Sequence, residues 1–474
     1  MRLARPARWA WPLVGLAALG VTLALLVGRR LLSDTPRHLV LVVLDTVRAD
    51  HLSLYGYARD TTPFLRELAE SSLVFERAKA PAPWTIPSHA SFFTALWPAE
   101  HRAQWGRITL ADRHLTLAEV LGAHGFRTVG FSSNPFVSER HGLAQGFAEF
   151  RLIEGEPAEQ TGKILGLLPA LLDRVQREDV RLFLFLNLMD AHIPYNAGRY
   201  AWMFGVSDPL AVGDHGLKWE INAGVRRYDR ELREQQIAAY DAALRRLDDA
   251  LRTIVEELTR RGMLEETLLV LTADHGEGLG EHPEIGHSIS TWEEQLAVPL
   301  LIRLPSGRLA GSRVAELTSL VALPVSVVDW LGLVRPSPWK DRPDLLEVAS
   351  RHVSADYRSY FSERTRRMNT GMARRYPELA RRILHTHVLY CGDLKLSVDA
   401  AGHERLYDLA RDPHESRELS EPSPADAEPC RARYRSLLAG GRYTAFHESE
   451  TEAERARDRE AFDEESLRSL GYLP

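Results

Sequence analysis

Cysteine is scarce in this chain, which has two among its 474 residues, Cys391 and Cys430. So few cysteines exclude a disulfide framework and a zinc site built from thiolates. The sequence leaves open whether the two pair in an oxidising compartment or remain separate thiols. A strong excess of one charge is also lacking, because the formal net charge is -6, and this argues against a nucleic-acid-binding protein. Internal repeats and low-complexity segments are absent from the sequence as well.

Long apolar runs are rare, with one exception near the N-terminus. Residues 9–27 carry no charge, three arginines precede them, and two more follow at 29–30. The stretch is close to the ~20 residues that span a bilayer as a helix. We therefore predict that residues 1–36 form an uncleaved, single-span anchor in the cell membrane with a short linker. The arginine distribution predicts a cytoplasmic N-terminus and an extracytoplasmic position for the rest of the chain. A cleaved signal peptide is the alternative.

After this stretch, short apolar runs alternate with helical patterns, which predicts an α/β fold with a mainly parallel sheet between layers of helices. The runs at residues 39–44 and 268–272 predict buried strands. The clearest helix is predicted over residues 231–261, where apolar residues recur at three- and four-residue steps. Residues 205–228 lack a clear period and are predicted to be a long surface insertion.

Four polar residues stand where predicted elements begin or end. Asp45 follows the first strand directly, Asp274 and His275 come shortly after the second, and Thr85 precedes a helix predicted to begin at Pro87. In open α/β sheets, ligands bind beyond the carboxyl ends of the strands, so these side chains predict a metal site. Two carboxylates with an imidazole favour manganese or zinc over calcium or magnesium. Taken alone, Thr85 is better explained as an ordinary helix cap.

Four blocks of the sequence resemble the alkaline phosphatase superfamily, in its sulfatase branch. They read LVVLDTVRADHLSLYGY at residues 41–57, PWTIPSHASFFTAL at 83–96, LTADHGEGLGEHPEIGHSISTWEEQLAVP at 271–299 and RLYDLARDPHESREL at 405–419. The resemblance implies an α/β catalytic domain at residues 37–335, with a large, mainly parallel sheet sandwiched by helices. It also implies a small C-terminal antiparallel α+β subdomain, with a charged helical tail, at residues 336–474.

The resemblance further implies which residues act on a substrate. Asp45, Asp274 and His275 match metal-ligand positions of the family. Thr85 matches the nucleophile, which is itself a ligand of the metal. A metal bound to the threonine hydroxyl would lower its pKa and polarise the oxygens of an ester.

Four more residues are implied to lie around the substrate. His192 matches a histidine near the leaving group or the ester oxygens, and His287 stands where many sulfatases have a lysine. Both are expected to act in catalysis, by offsetting charge or protonating the leaving group. His89, which replaces an arginine of the family, and Asn134 are expected to bind substrate, with a structural role as an equal alternative for His89. Structural or supporting roles are expected for the remaining histidines considered, His51, His101 and His282.

Three departures from the sulfatase pattern affect the predicted reaction. Thr46 and His275 replace a second aspartate and an asparagine of many sulfatases. Sulfatases also need cysteine, or sometimes serine, at the nucleophile, where it is converted to formylglycine. Thr85 cannot be converted in that way. Threonine with an Asp-His pair instead resembles the membrane-anchored phosphoethanolamine and phosphoglycerol transferases of the superfamily.

We therefore expect a membrane-anchored, metal-dependent sulfatase-family hydrolase or transferase that cleaves phosphate or sulfate esters through Thr85. Its substrate would be an anionic ester of a lipid, a glycan or a small molecule. One alternative is a phosphoethanolamine- or phosphoglycerol-type transferase that acts on an envelope lipid or glycan. An alternative of another class is a non-catalytic anion-binding protein on the same fold, and a protein without bound metal would favour it.

Overall fold

A computed structural model describes residues 35–104, 107–208, 215–348, 353–357, 386–399, 402–419 and 424–439. The apolar stretch at 9–27 and the charged tail beyond 439 lie outside these ranges. Among the helices within them, none combines the length and the apolar character that a bilayer crossing needs.

The main sheet has eight strands among the described residues. They are β1 (His38–Leu44), β2 (Leu73–Lys79), β3 (Phe126–Ser132), β4 (Glu149–Leu152), β5 (Arg181–Leu188) and β6 (Thr267–Thr272), and, after the hairpin β7 (Gly278–Leu279) and β8 (Ile285–Gly286), β9 (Ala297–Arg303) and β10 (Arg313–Ser319). Their order in the sheet is β10-β2-β9-β6-β1-β5-β3-β4. All neighbouring strands run parallel except β9, which pairs antiparallel with both β2 and β6. This arrangement confirms the prediction of a large, mainly parallel sheet.

Helices pack around this sheet. They are α1 (Pro63–Ala69), α2 (Thr85–Thr94), α3 (Pro98–His101), α4 (Leu117–Ala123), α5 (Pro157–Glu178), α6 (His215–Asn222), α7 (Arg230–Arg260), α8 (Glu293–Leu296), α9 (Leu323–Trp330), α10 (Leu345–Val348) and α11 (Pro424–Ala439). Two groups pack together, α7 with α1 and α5, and α2 with α4 and α9. The helix predicted over 231–261 is confirmed as α7, which buries its apolar stripe, including Leu244, Leu247 and Leu251.

A small antiparallel sheet follows near the C-terminus, as predicted. Its order is β11 (Val353–Tyr357), β12 (Thr386–Cys391), β13 (Leu394–Asp399) and β14 (Glu404–Asp408). Helix α11 packs on β12 and β13, and a disulfide between Cys391 and Cys430 joins it to β12. The structure thus decides between the two alternatives that the sequence left open for these cysteines. The division of the chain at residues 335 and 336 stays a prediction.

Buried charges connect the small sheet to the main one. Lys395 Nζ on β13 lies 2.9 Å from the carboxylate of Glu415 and 3.2 Å from that of Glu293. Glu293, at the start of α8, also pairs with Lys79 of β2 and accepts a hydrogen bond of 2.6 Å from the Tyr390 hydroxyl. Because each buried charge has an opposite partner, the network fixes the small sheet against β2 and the start of α8.

One prediction about an irregular stretch is wrong. Residues 205–228 are not simply a surface insertion, because they contain α6, whose Lys218 and Trp219 are buried.

Two aspartates of α7, Asp241 and Asp248, are fully buried. Asp241 accepts hydrogen bonds from His51 and two other side chains of the segment after β1, and Asp248 caps the backbone N–H groups that begin α1.

Candidate active site

The site forms at the carboxyl ends of β1 and β6, which are neighbouring parallel strands. Asp45 directly follows β1, and Asp274 comes two residues after β6. One ligand atom from each of Asp45, Asp274 and His275 lies within 4.8 Å of the others, and all three residues are buried. The structure therefore brings together the three residues that the resemblance implied as metal ligands.

Thr85 joins this cluster from the N-terminus of α2. The helix begins at Thr85 and not at Pro87, so Thr85 is its first residue and Trp84 is the extended cap. Proline is still tolerated at its observed position because an N–H there has no partner within the helix. The Oγ1 atom of Thr85 lies 3.5 Å from Nε2 of His275. A hydroxyl, two carboxylates and an imidazole thus converge.

Two asparagines hold Asp45 in place. Asn134, just after β3, donates from Nδ2 to Asp45 Oδ2 at 2.8 Å and to Thr85 Oγ1 at 3.3 Å. Its own Oδ1 accepts from the backbone N–H of Phe136 at 2.9 Å, which fixes the orientation of the amide. Asn187 of β5, which we did not predict, donates to the same Asp45 oxygen at 3.2 Å. Its sequence signal is a single amide within the apolar part of the strand, residues 182–188.

The remaining ligand atoms suit a cation. Asp45 Oδ1 and Asp274 Oδ2 are buried and accept no hydrogen bond from the described residues. The Nδ1–H of His275 donates a hydrogen bond to the Gly276 carbonyl at 3.0 Å, so Nε2 has a lone pair that can bind a cation. Burial, and then the charge of Asp274, raise the pKa of Asp45 to about 7, and burial raises that of Asp274 to about 7. Two such carboxylates are stabilised by a divalent ion.

His192 and His287 lie beside the cluster. Their ring centroids are 4.9 Å apart, and the His287 ring is 4.7 Å from that of His275. The Nδ1–H of His192 donates a hydrogen bond to the Ile193 carbonyl at 2.7 Å. The Nδ1 atom of His287 forms a hydrogen bond with the Glu277 carboxylate at 3.0 Å. Burial lowers the pKa of both rings well below the ordinary value. Both are therefore neutral at pH 7. The Nε2 atom of His192 is buried and has no hydrogen-bond partner among the described residues, so it can accept a proton.

His89 lies further back in the same helix. Its Nδ1 donates to the Thr85 carbonyl at 2.9 Å and is 3.6 Å from Oδ2 of Asp274. The ring packs among Phe92, Phe93 and Phe185, and burial lowers its pKa to about 3. These contacts suit the structural alternative, and its contact with substrate stays a prediction.

His51, His101 and His282, for which structural or supporting roles were expected, have partners outside the cluster. Each contacts an acidic or hydroxyl side chain outside the cluster, namely Asp241 for His51, Ser91 for His101 and Glu294 for His282.

Two charged residues of the site were missed by the sequence analysis. Glu277, two residues after His275, is fully buried and holds His287. Lys218 of α6 is also fully buried, and its Nζ lies 3.4 Å from the His287 carbonyl. Burial raises the pKa of Glu277 and lowers that of Lys218, while each charge opposes the shift of the other. The Asp-His-Gly-Glu run was a usable signal for Glu277, whereas Lys218 stands in a stretch without periodicity.

Similarity to known proteins extends over most of the chain. The family model described as Sulfatase matches residues 37–333. The multifunctional alkaline phosphatase superfamily protein PehA of Trinickia caryophylli is 24% identical over 411 residues, which cover 69% of this chain and 79% of PehA. The phosphatidylethanolamine transferase Mcr-1 of Escherichia coli is 26% identical, over 56% of this chain and 48% of Mcr-1, so the chain spans about half of that relative.

A similar fold is found among solved structures. The phosphonate monoester hydrolase of Agrobacterium radiobacter superposes with a TM-score of 0.65 at 21% identity, covering 87% of this chain and 96% of the hydrolase. At this level of identity, the likeness establishes the fold alone.

Proposed function

Because this chain belongs to the sulfatase family, we propose that it is a metal-dependent hydrolase or transferase of phosphate esters with Thr85 as its nucleophile. One observation carries the proposal. The Thr85 hydroxyl stands at a helix N-terminus, 3.5 Å from His275 Nε2, in the cluster that also contains Asp45 and Asp274. A structural threonine cap would not need two buried carboxylates with unsatisfied oxygens beside it.

The residues fit a divalent ion, held by Asp45, Asp274, His275 and Thr85. When bound, such an ion supplies a Lewis acid that lowers the pKa of the threonine hydroxyl and offsets negative charge on the ester. Manganese and zinc accept this mixture of oxygen and nitrogen ligands. Asn134 and Asn187 keep Asp45 in position, since both donate to its Oδ2 atom and leave Oδ1 for the ion.

The protein groups then suggest how an ester is cleaved. The Oγ of Thr85 forms a bond to phosphorus, and the bond from phosphorus to the leaving oxygen breaks. The neutral ring of His192 or His287 takes up the proton lost by Thr85 and returns it to the leaving oxygen. In the second step, water or an alcohol attacks phosphorus in line and the bond from phosphorus to Thr85 Oγ breaks. The same ring accepts the proton of the attacking group and returns it to Thr85 Oγ, which restores the hydroxyl.

The choice of phosphate over sulfate rests on the nucleophile. A formylglycine hydrate expels sulfate by collapsing to an aldehyde, and a threonine ester has no such route. A phosphothreonine can be cleaved by direct attack on phosphorus. The identity of the second-step acceptor separates a hydrolase from a transferase. The similarity to Mcr-1, named as a phosphatidylethanolamine transferase, supports the transferase candidate, in which the acceptor is a hydroxyl of an envelope lipid or glycan.

We further propose that the enzyme is anchored in the cell membrane with its catalytic domain outside the cytoplasm. The arginine-flanked apolar stretch at 9–27 supports this position. The disulfide between Cys391 and Cys430 supports it independently, because disulfides persist mainly in oxidising compartments.

A panel of esters tests the proposed function. The full chain, loaded with manganese or with zinc, is assayed against aryl phosphate monoesters, phosphodiesters, phosphonate monoesters and sulfate monoesters. We expect turnover of at least one phosphorus ester to exceed that of every sulfate ester. The reverse order would contradict the proposal and indicate a sulfatase reaction. Purified protein that binds no stoichiometric metal would instead favour the non-catalytic anion-binding alternative.

A further inference from the structure

The chain enters the described domain at one edge of the main sheet. Arg37, directly before β1, donates its backbone N–H to the Glu266 carbonyl at 2.7 Å. Its guanidinium donates to the Asp179 carbonyl at 2.8 Å and also pairs with the Asp179 carboxylate. Because Glu266 precedes β6 and Asp179 precedes β5, residue 37 lies at the amino ends of three neighbouring parallel strands.

A second contact holds the chain two residues earlier. A Cβ atom at Gly332 would lie 3.4 Å from Cγ2 of Thr35, so Thr35 lies against the turn that follows α9. The chain is therefore fixed to the amino edge of the sheet from the first residue that the structure describes.

The candidate active site lies at the opposite edge of the sheet. Asp45 follows β1 at its carboxyl end, and β1 has seven residues. At about 3.3 Å per residue, this strand alone separates its two ends by about 20 Å. Helix α7 crosses the domain in the same direction, and its 31 residues extend over about 45 Å.

The two ends of α7 mark the two edges. Near its N-terminus, Arg233 donates to the Leu279 carbonyl at 2.9 Å, in the hairpin that leads to His287 of the site. Just past its C-terminus, the Arg261 carbonyl accepts a hydrogen bond of 2.7 Å from Gln176, near the end of the helix that precedes β5. The helix therefore runs from the edge that carries the site to the edge at which the chain enters.

The segment between the predicted anchor and the domain is too short to reverse this arrangement. Residues 28–34 separate the apolar stretch at 9–27 from Thr35, and even a fully extended chain bridges at most about 29 Å over this interval. A globular domain of about 400 residues has a radius of gyration of about 21 Å, and hence a diameter of about 55 Å. A segment that passed around such a domain, from the amino edge to the site, would need about 80 Å or more.

We propose that the active site opens away from the membrane that holds the anchor, and that its substrate is a water-soluble phosphate ester. The headgroup of a phospholipid in that same membrane is then out of reach of Thr85. The inference rests on the proposed anchor for the geometry and on the proposed function for the chemistry of the ester. In the transferase candidate, the acceptor is likewise a hydroxyl exposed in the aqueous compartment.

Energy transfer to labelled lipids tests this orientation without catalysis. Cys391 and Cys430 are joined in a disulfide, so an introduced cysteine is the one thiol that reacts with a dye. Arg230→Cys and Arg260→Cys place the dye at the site end and at the other end of α7, and both arginine side chains are exposed, by 91% and 60%. The labelled full chains are reconstituted in phosphatidylcholine vesicles that carry acceptor-labelled lipid in both leaflets. We expect more efficient transfer from position 260 than from position 230.

A lengthened linker provides the matched control. Insertion of about 30 glycine and serine residues after residue 32 gives a flexible segment, so the difference between the two positions should shrink. Equal transfer from the two positions in the unchanged linker, or stronger transfer from position 230, would overturn the proposal. Failure of the full chain to enter the vesicles would overturn it as well, because the geometry depends on the anchor.

The same vesicles test the consequence for the substrate. Phosphatidylethanolamine in the membrane is compared with glycerophosphoethanolamine, its deacylated and water-soluble form. We expect the lipid to be turned over at least about tenfold more slowly than the best water-soluble ester of the panel, and equal rates would contradict the proposal.

These outcomes are distinct from those of the ester panel. If no ester is turned over but transfer is stronger from position 260, the orientation stands and the proposed function fails. If phosphate esters are turned over and transfer is equal from both ends of α7, the inference alone fails.

Discussion

At the scale of residues, the site is defined by buried polar atoms that the protein does not satisfy by itself. Asp45 and Asp274 each use one oxygen for hydrogen bonds and leave the other without a partner among the described residues. Buried polar atoms are normally paired, so this exception needs an explanation. A cation between the carboxylates and the imidazole of His275 provides one, and it accounts for all three residues together.

Removal of a ligand should therefore remove metal and activity together. We expect Asp274→Asn and His275→Ala to lose metal affinity by more than the ~10- to 100-fold that the loss of a supporting residue costs. Asn187→Ala, which removes only a hydrogen bond to Asp45, should fall within that range, and the exposed Asp341→Asn should change nothing. Metal analysis after dialysis and turnover of a phosphate ester provide the readouts. Stoichiometric metal with full turnover in either ligand variant would show that the ligand set is wrong.

The residues of the site differ in how visible they are in the sequence. Asp45, Thr85, Asp274 and His275 stand at the ends of predicted elements within motifs, and the structure brings them together. Lys218 was invisible because its helix is short and its neighbours follow no period. Its contact is with the carbonyl of His287, far along the chain, and no local pattern encodes such a contact.

At the scale of elements, the segment after β6 connects the site to the small C-terminal sheet. His282 of this segment bonds through Nδ1 to Glu294 at 2.8 Å and through Nε2 to the Glu415 carbonyl at 3.4 Å. Its ring stacks on Trp292 with a centroid separation of 3.8 Å. Only a protonated imidazole donates both hydrogen bonds. Burial lowers the pKa of His282, but its bonds to Glu294 outweigh burial and raise the pKa above 6.5.

This histidine should make stability depend on pH. Because its pKa in the folded protein is above the ordinary value, its contribution is complete below about pH 6.5 and is lost as pH rises through the folded pKa. We expect the free energy of unfolding to fall less between about pH 6 and about pH 8 in His282→Gln than in the unchanged protein. Glu294→Gln should show the same flattening, since it removes the partner. Denaturant titrations at both pH values measure the effect, and equal slopes in all three proteins would refute it.

Long elements were predicted better than short ones. Periodicity placed α7 within one residue at each end, because its buried stripe extends over many turns. Helix α6 has eight residues, too few for a periodic signal to stand out. The start of α2 was misplaced because Pro87 suits a first helical position as well as the third, and only the extended backbone of Trp84 decides between them.

At the scale of the whole molecule, the chain combines a sulfatase-type sheet with a small antiparallel sheet, and a disulfide joins the small sheet to α11. The fold class followed from alternating apolar runs and from motif order. The pairing of Cys391 with Cys430 did not, because it depends on how α11 packs on β12. The predicted position relative to the membrane rests on the apolar stretch at residues 9–27, which lies outside the described ranges.

A fusion tests the proposed topology. A reporter joined after Pro474 should be active if it functions outside the cytoplasm and inactive if it requires the cytoplasm, because a single span with an inside N-terminus exports the chain on its C-terminal side. The same fusion with residues 1–36 deleted is the control and should reverse both signals. Activity of the full-length fusion with a cytoplasm-specific reporter alone would contradict the predicted orientation.

The central claim is that Thr85 attacks the ester, and turnover by its variants tests it most directly. The full chain carrying Thr85→Ala, with metal content measured, is compared with the unchanged protein on the best phosphate ester of the panel. We predict a loss of at least about 10³-fold, as expected when a nucleophile is removed, whereas Thr85→Ser, which keeps a hydroxyl, should retain a substantial part of the rate. Turnover by metal-loaded Thr85→Ala within about tenfold of the unchanged protein would contradict the account.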